Sequence, residues 1–183
     1  GLGAQVYILD TSLTRLAYLD DVMPANVFPV MSNPAILREY VIDADLVIGA
    51  VLIPGAKAPK LVSREMIKDM KDGAVVVDVA IDQGGCFETS RPTTHADPTY
   101  VVDGVVHYCV ANMPGAVART STIALTNATL PYAVEIANKG WKVAMRDSRE
   151  IRLGANVMYG EITYKAVSEA FGLDYTPVEK YLE

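Results

Sequence analysis

Cysteine, histidine and tryptophan are scarce in this sequence, and long apolar runs are missing. The 183 residues include two cysteines, two histidines and one tryptophan. The two cysteines, Cys86 and Cys109, provide no disulfide framework and no CxxC pair, so a reducing cytoplasm is the expected compartment. The longest apolar run is far below the roughly 18 residues that a membrane-spanning helix needs, and no signal peptide is visible. The sequence therefore predicts no membrane partner and no secretion.

A basic surface and a phosphate-binding loop are also missing. The formal net charge is −6, which argues against a nucleic-acid partner, while the 51% hydrophobic content is typical of a globular chain. The segment "PGAKAPK" lacks the GxxxxGK[ST] pattern of a phosphate loop, so Lys57 and Lys60 are expected to be solvated. The sequence starts at Gly1 without an initiator Met, and we expect the native N-terminus to lie upstream.

Apolar runs alternate with amphipathic segments through the first two thirds of the chain. Strands are predicted at 5–9, 27–31, 44–52, 74–80 and 105–111, with a further short run "TYVV" before the last. Ser/Thr residues, Asn33-Pro34 and Ser63 are predicted to begin the intervening helices. Because the runs are continuously apolar rather than alternating, they predict a parallel sheet covered on both faces. The expected fold class is α/β, a Rossmann-like doubly wound sheet.

From about residue 116 the pattern becomes helical. Pro131 is expected to open a second helix that Gly140 ends, and residues 160–173 are expected to form another. No convincing strand follows residue 116. The sequence thus predicts two parts, an α/β domain over 1–118 and a helical part over 119–183.

Polar residues collect where the predicted parallel strands end, which is the edge where such sheets bind ligands. Asp10 ends the first strand, and an acid there typically binds an adenosine ribose and favours NAD over NADP, although a helix cap is an equally ordinary role. The GxGxxG fingerprint should lie about 20 residues before that acid, a position that falls before residue 1. The strand carrying that loop is central in the Rossmann order, so we expect the first strand of this chain to lie beside a gap.

Three blocks resemble the L-alanine dehydrogenase family, which includes the alpha subunit of proton-translocating nicotinamide nucleotide transhydrogenase. They are "DLVIGAVLIPGAKAPKLVS" (45–63), "VVVDVAIDQGGCFETSRPTT" (75–94) and "YCVANMPGAVARTSTIALTNATLPY" (108–132), in the family's order and spacing. The form "AIDQGGCFE" favours the dehydrogenase, because the transhydrogenase usually has glutamate in place of that aspartate. The resemblance implies that 119–183 returns to a discontinuous substrate domain whose other part precedes this chain.

The resemblance also assigns roles to individual residues. Asp82 matches the catalytic aspartate and also lies in the cofactor segment. The positions that match cofactor-binding residues are Asp10, Arg15, Ser32, Val51, Leu52, Val79, Ala80, Ile81, Asp82, Arg91, Val110, Ala111, Asn112 and Met113. A divalent ion bound by some members uses a histidine whose position is Lys139 here, so no metal is expected. NAD is the implied cofactor, and a homohexamer the implied assembly.

The implied reaction is reversible oxidative deamination of L-alanine to pyruvate and ammonia. A carboxylate beside the nicotinamide can stabilise the cationic amine and share protons with a histidine. In the family that histidine, and the Arg and Lys that bind the substrate carboxylate, belong to the N-terminal part. His95 and His107 are expected to be structural or surface groups, and we expect weak cofactor binding and no turnover from this chain alone.

Other interpretations stay open from the residues alone. Asp82 could be only a cap or turn residue, and Arg91 could pair with Glu88 on the surface. Asp78 is expected to be a structural hydrogen-bonding group and Cys86 a small buried hydrophobe. Two rival functions also remain: a transhydrogenase domain-I component, and a non-catalytic nucleotide-binding module.

Overall fold

The computed structural model describes residues 2–51 and 58–183. Strands and helices alternate up to residue 78, and two further strands follow. In chain order these elements are β1 (Val6–Asp10), α1 (Leu13–Val22), β2 (Val27–Met31), α2 (Pro34–Asp43), β3 (Leu46–Gly49), α3 (Arg64–Asp69), β4 (Val75–Asp78), β5 (Thr99–Val102) and β6 (Val105–Tyr108). The α/β class with a Rossmann-like arrangement is confirmed.

Each of the first three helices begins at a residue whose polar side chain caps its backbone N–H groups. Ser12 accepts a hydrogen bond from the Arg15 backbone N–H at 3.3 Å, and Ser63 accepts one from Met66 at the same distance. Asn33 caps α2 by accepting from two backbone N–H groups, with Pro34 in the first turn. These caps satisfy N–H groups that have no partner inside the helix, which is why short polar residues fix the starting points.

The strands form two main sheets rather than one. β1 pairs with β2 in parallel, and the second sheet has the order β3-β4-β6-β5. In the described part of the chain, the hydrogen-bonded ladders leave β1 and β3 each with a single neighbour. The separation between these two strands matches the gap expected beside the first strand.

One strand pair departs from the predicted parallel pattern. β5 and β6 are antiparallel, whereas β3, β4 and β6 are parallel. The connection is the two-residue turn Asp103-Gly104, with φ of +49° and +81°. Two consecutive positive φ values are typical of the tight hairpin turns that Asp-Gly favours, so β5 folds back as an edge strand.

The main hydrophobic core lies against the second sheet. Ile67, Val76, Phe87 and Val105 are fully buried there, and Val41 of α2 joins them. Gly49 is packed so closely that an added Cβ would lie 2.7 Å from a ring carbon of Phe87. The strand ends and the chain that follows β4 therefore rest on a tightly filled interior.

The helical C-terminal part differs from its prediction in two ways. It contains α4 (Ala118–Lys139), α5 (Trp141–Asp147), α6 (Arg149–Leu153), β7 (Val157–Met158), β8 (Glu161–Ile162) and α7 (Lys165–Phe171). Pro131 lies inside α4 and does not begin a helix. The helix is exposed, so water can bond the carbonyl that proline leaves without a donor.

The second difference is a short hairpin where a helix was expected. β7 and β8 pair across a turn at Tyr159-Gly160, where both φ values are positive, and α7 begins only at Lys165. The expectation of no strand after residue 116 is wrong because this turn reverses the chain locally. In the described ranges, 2–51 and 58–183, no helix combines the length and apolar character needed to cross a membrane.

Candidate active site at the strand ends

Asp10 and Ser32 lie side by side at the ends of β1 and β2. The Ser32 backbone N–H donates to the Asp10 carbonyl at 2.9 Å, which extends the parallel ladder past β2. The Asp10 carboxylate accepts from the Ser12 backbone N–H at 2.8 Å, so it also helps to start α1. Arg15, in the first turn of that helix, is exposed, and its guanidinium lies 5.0 Å from the centre of the Tyr18 ring.

A second group of predicted residues follows β3 and β4. The Val79 backbone N–H donates to the Gly49 carbonyl at 2.8 Å, which joins the two strand ends. Val51 packs against the core, whereas Leu52 lies outside the described residues. Val79 is half-exposed, Ala80 and Ile81 are buried, and Asp82 is exposed. Asp82 lies on a tight 3-10 turn over Ile81–Gln83. Its buried neighbours fix this turn, so the Asp82 carboxylate stays exposed near the carboxyl end of β4.

Asp78 stabilises the chain that follows Asp82 from the inside. Its side chain is fully buried, and one carboxylate oxygen accepts from the backbone N–H of Cys86 at 2.8 Å and of Phe87 at 3.4 Å. The same oxygen accepts from the Ser90 hydroxyl at 2.5 Å. Gly85 has φ of +78°, and a Cβ there would lie 2.5 Å from that oxygen. Asp78 is therefore the structural hydrogen-bonding group that was predicted.

Lys60 holds the same turn from the outside. Its ammonium donates to the carbonyls of Gly84 at 2.5 Å and Phe87 at 3.0 Å. The Ala58 backbone N–H donates to the Gln83 carbonyl at 2.9 Å, so the chain over 58–62 runs along the turn. Lys60 is exposed, as expected, but its ammonium is also bound to these two carbonyls of the turn; Lys57 lies outside the described residues.

Cys86 contributes to the packing of this turn. The side chain is buried, and burial is the main cause that raises the pKa of its thiol. A neutral, buried thiol packs as a small apolar group and is a poor nucleophile. The interpretation of Cys86 as a small buried hydrophobe is confirmed.

A third group joins Arg91 to the loop after β6. Thr93 pairs with Val110, with the Thr93 N–H donating to the Cys109 carbonyl at 2.9 Å and the Ala111 N–H donating to the Thr93 carbonyl at 3.2 Å. The His95 ring nitrogen Nε2 lies 2.6 Å from the Asn112 carbonyl. Residues 91–95 therefore run directly beside the predicted cofactor loop Val110–Met113.

Arg91 has a different neighbour from the one that its sequence position suggests. Its guanidinium lies over the ring of Tyr100, 4.1 Å from the ring centre, while Glu88 accepts from the Arg64 backbone N–H at 2.8 Å. The alternative of an Arg91–Glu88 surface pair is thus wrong, because the β5–β6 hairpin brings an aromatic face under the guanidinium. The sequence pattern does not indicate Tyr100 as a site residue.

His107 is a structural residue, as expected. It is fully buried in β6, with Nδ1 3.0 Å from the Val105 carbonyl and Nε2 2.7 Å from the Thr89 hydroxyl. Burial is the main cause that lowers its pKa, so the ring is neutral at physiological pH. A neutral ring fits these two partners if Nδ1 donates to the carbonyl and the hydroxyl donates to Nε2.

The predicted site residues thus fall into two connected groups and one separate group. The residues after β4 and those after β6 share one sheet, in which β4 and β6 are neighbours. Asp10 ends β1 and Ser32 follows β2 in the separate two-stranded sheet, and Arg15 lies in α1 beside them. Parallel strands with an acid at the end of β1 and glycine-containing turns at their carboxyl ends define the Rossmann-like, dinucleotide-binding class of proteins.

Comparison with known proteins narrows this class. Residues 1–165 match the family described as alanine dehydrogenase/PNT, C-terminal domain, and the chain belongs to this family. It is 64% identical to an alanine dehydrogenase of Halomonas elongata over 96% of this chain and 47% of the relative. It is 61% identical to one from Staphylococcus haemolyticus over 100% of this chain and 49% of the relative. The chain thus spans about half the length of the curated relatives it matches.

Solved structures give the same result. A structure titled L-alanine dehydrogenase superposes with a TM-score of 0.81 at 49% identity, covering 94% of this chain and 47% of the other. A transhydrogenase structure from Sinorhizobium meliloti superposes with a TM-score of 0.50 at 28% identity, over 66% of this chain and 40% of the other. The dehydrogenase is therefore the nearer of these two structures in both sequence and fold.

Proposed function

We propose that the protein containing this chain oxidatively deaminates L-alanine with NAD, giving pyruvate, ammonia and NADH. The identity of 58–64% to alanine dehydrogenases carries this proposal. The position of Asp82 supports it, since an exposed carboxylate in the turn after β4 is available to a bound substrate while its neighbours Ala80 and Ile81 are buried. The transhydrogenase role has less support, since the match to that structure is more distant.

The residues of this chain fit a dinucleotide. Asp10 and Ser32 together offer a carboxylate and a hydroxyl to ribose hydroxyls, and the negative charge of Asp10 disfavours a 2′-phosphate. Val51 and the half-exposed Val79 offer apolar surface to flat rings. Val110–Met113 and Arg91 lie beside one another across Thr93, so an anionic part of the cofactor bound there would meet the guanidinium. We assign Ala80 and Ile81 to the backbone wall of this crevice.

Asp82 is the proposed proton-handling residue. NAD supplies the hydride acceptor when bound. The Asp82 carboxylate then stabilises the cationic amine and iminium forms of the substrate by its charge, and it accepts or returns a proton as water adds to the imine carbon. A carboxylate on a rigid turn needs no reorganisation to do this. The partner histidine and the groups that bind the substrate carboxylate are expected in the other half of the protein.

A further parallel strand is proposed between β1 and β3. The facing strands carry exposed apolar side chains that such a strand would cover, among them Tyr7, Leu46 and Ile48. That strand would precede this chain and carry the glycine-rich loop, in keeping with the central position of the first Rossmann strand.

We likewise propose a domain boundary near residue 118, where α4 begins, with 119–183 belonging to the substrate domain. Several exposed apolar residues of α4 would then be covered by the rest of that domain.

The test uses a hybrid protein, in which this chain replaces the matching half of the Halomonas elongata relative. The hybrid is expected to form NADH when L-alanine and NAD are supplied, and to show far lower activity with NADP. This chain alone is expected to bind NADH weakly and to show no turnover. A hybrid that binds NADH but transfers hydride only to a second nucleotide would favour the transhydrogenase role, and NADH binding without either reaction would favour a non-catalytic module.

Three further properties are proposed: a cytoplasmic location, from the lack of a disulfide framework, and a homohexameric assembly and the absence of a bound metal, both from family resemblance. The Lys139 ammonium lies between Glu135 at 3.0 Å and Asp147 at 2.8 Å. A lysine already paired with two carboxylates supplies the positive charge at this corner of α4 and α5. Sedimentation of the hybrid protein would test the assembly, and metal analysis after purification would test the third property.

A further inference from the structure

Arg91 forms the outer layer of a stack of three side chains. The guanidinium lies 4.1 Å from the centre of the Tyr100 ring, and that ring stacks on the His107 ring with centres 5.0 Å apart and planes inclined by 24°. Tyr100 and His107 are directly opposite each other in the β5–β6 ladder. The hairpin therefore fixes the two rings, and the rings present a flat surface to Arg91.

Tyr100 also holds the backbone that carries Arg91. Its hydroxyl accepts from the Arg91 backbone N–H at 2.8 Å and donates to the Thr89 carbonyl at 3.0 Å. The preceding residue, Ser90, donates to the buried Asp78 carboxylate. Arg91 is thus held at two points, at its backbone by the phenol oxygen and at its side chain by the aromatic ring.

The charge in this stack is confined to its outer layer. Burial lowers the pKa of His107, and burial together with the Cys109 thiol raises the pKa of Tyr100, so both rings stay neutral near pH 7. A guanidinium that stacks through its face keeps its N–H donors in the plane of the group, directed outward along its edges. Such a group suits planar, bidentate recognition of a phosphate or carboxylate.

The stack lies at the predicted cofactor edge. Thr93, two residues after Arg91, pairs with Val110, and His95 contacts the Asn112 carbonyl. We propose that Tyr100, supported by His107, is a positioning residue that holds the Arg91 guanidinium flat so that its edge meets an anionic group of the dinucleotide. This inference rests on the proposed function, in which Arg91 contacts the cofactor.

A double-mutant cycle on NADH binding by the hybrid protein tests the proposal. Arg91→Ala is expected to weaken NADH binding about tenfold or more, as for a lost hydrogen bond to a charged group. Tyr100→Leu is expected to weaken it about fivefold, the size of a cation–π contact with partial burial. Tyr100→Phe, which keeps the ring, is expected to bind more tightly than Tyr100→Leu. In the Arg91→Ala background, Tyr100→Leu should have no further effect beyond about twofold.

Steady-state kinetics adds a readout that a general structural defect would not produce. Tyr100→Leu should raise the KM for NAD and leave kcat and the KM for alanine within about twofold. Arg91→Lys leaves the core untouched and keeps the positive charge, but its ammonium has no flat face, so it should also weaken NADH binding several-fold. This variant keeps the proposal testable if Tyr100→Leu does not fold.

Each contrary outcome is distinct. Equal weakening by Tyr100→Leu with and without Arg91 would overturn the positioning role, and so would normal NADH affinity in Arg91→Lys. If Arg91→Ala binds NADH normally while the hybrid still oxidises alanine, the positioning role is wrong and the proposed function stands. If the unaltered hybrid binds no NADH, the proposed function fails first, and this inference fails with it.

Discussion

Removing the Asp78 carboxylate should loosen the turn after Asp82 without touching the proposed reacting group. In Asp78→Ala the backbone N–H groups of Cys86 and Phe87 and the Ser90 hydroxyl all lose their acceptor. A buried polar group left without a partner costs about 1–3 kcal/mol. Since the Phe87 bond is long at 3.4 Å, we expect a total of about 3–5 kcal/mol.

Amide hydrogen exchange in the hybrid protein measures this loss locally. A drop of 3–5 kcal/mol in the free energy of local opening corresponds to exchange that is faster by about 10²- to 10⁴-fold. The faster exchange should be confined to peptides covering 83–90. Alanine-dependent NADH formation should also fall, because the turn no longer holds Asp82 in place. Asp82→Asn is the matched control; its side chain is exposed, so the change should stay within about 0.5 kcal/mol. Unchanged exchange in Asp78→Ala would refute the reasoning.

Three other perturbations address the core, a buried histidine and the C-terminal segment. Gly49→Ala should destabilise by about 1–3 kcal/mol in chemical denaturation, because its Cβ would meet the Phe87 ring at 2.7 Å; unchanged stability would show that the ring moves freely. Because the pKa of His107 is lowered in the folded protein, the unfolded chain binds a proton at this residue more readily. The free energy of unfolding should therefore fall as pH drops below about 6.5, and His107→Gln should abolish this pH dependence. Hydrogen bonds, chiefly from the Tyr181 hydroxyl, lower the pKa of Glu161 to about 2. Glu161 therefore stabilises the C-terminal segment above the usual glutamate pKa, and this stabilisation should disappear as pH falls towards 2; Glu161→Gln should flatten that acid limb of a pH–unfolding curve.

The features that could be predicted from the sequence depend on local signals. Asn33 and Ser63 identified helix starts because a short polar side chain caps the N–H groups of its own first turn. The continuous apolar runs identified β1, β3 and β4 as parallel strands, and the acid at the end of β1 marked the ligand edge. In each case the residues that carry the signal are neighbours in the chain.

The features that could not be predicted depend on contacts between distant residues. The stacking of Arg91 on Tyr100 follows from the antiparallel hairpin, and the Asp103-Gly104 turn was its only sequence signal. Lys60 finds its carbonyl partners more than 20 residues away, at Gly84 and Phe87. Pro131 was predicted to begin a helix but lies inside α4, because an exposed helix tolerates the loss of a backbone N–H donor that a buried helix would not.

The central claim is that Asp82 handles protons for alanine oxidation while other residues bind the cofactor. The most direct measurement compares NADH affinity and alanine-dependent NADH formation in the hybrid protein and in its Asp82→Asn variant. The account predicts that Asp82→Asn binds NADH within about threefold of the unaltered hybrid and loses at least about 10²-fold in kcat, the usual contribution of a positioned acid–base group. Turnover that is unchanged in Asp82→Asn would contradict it.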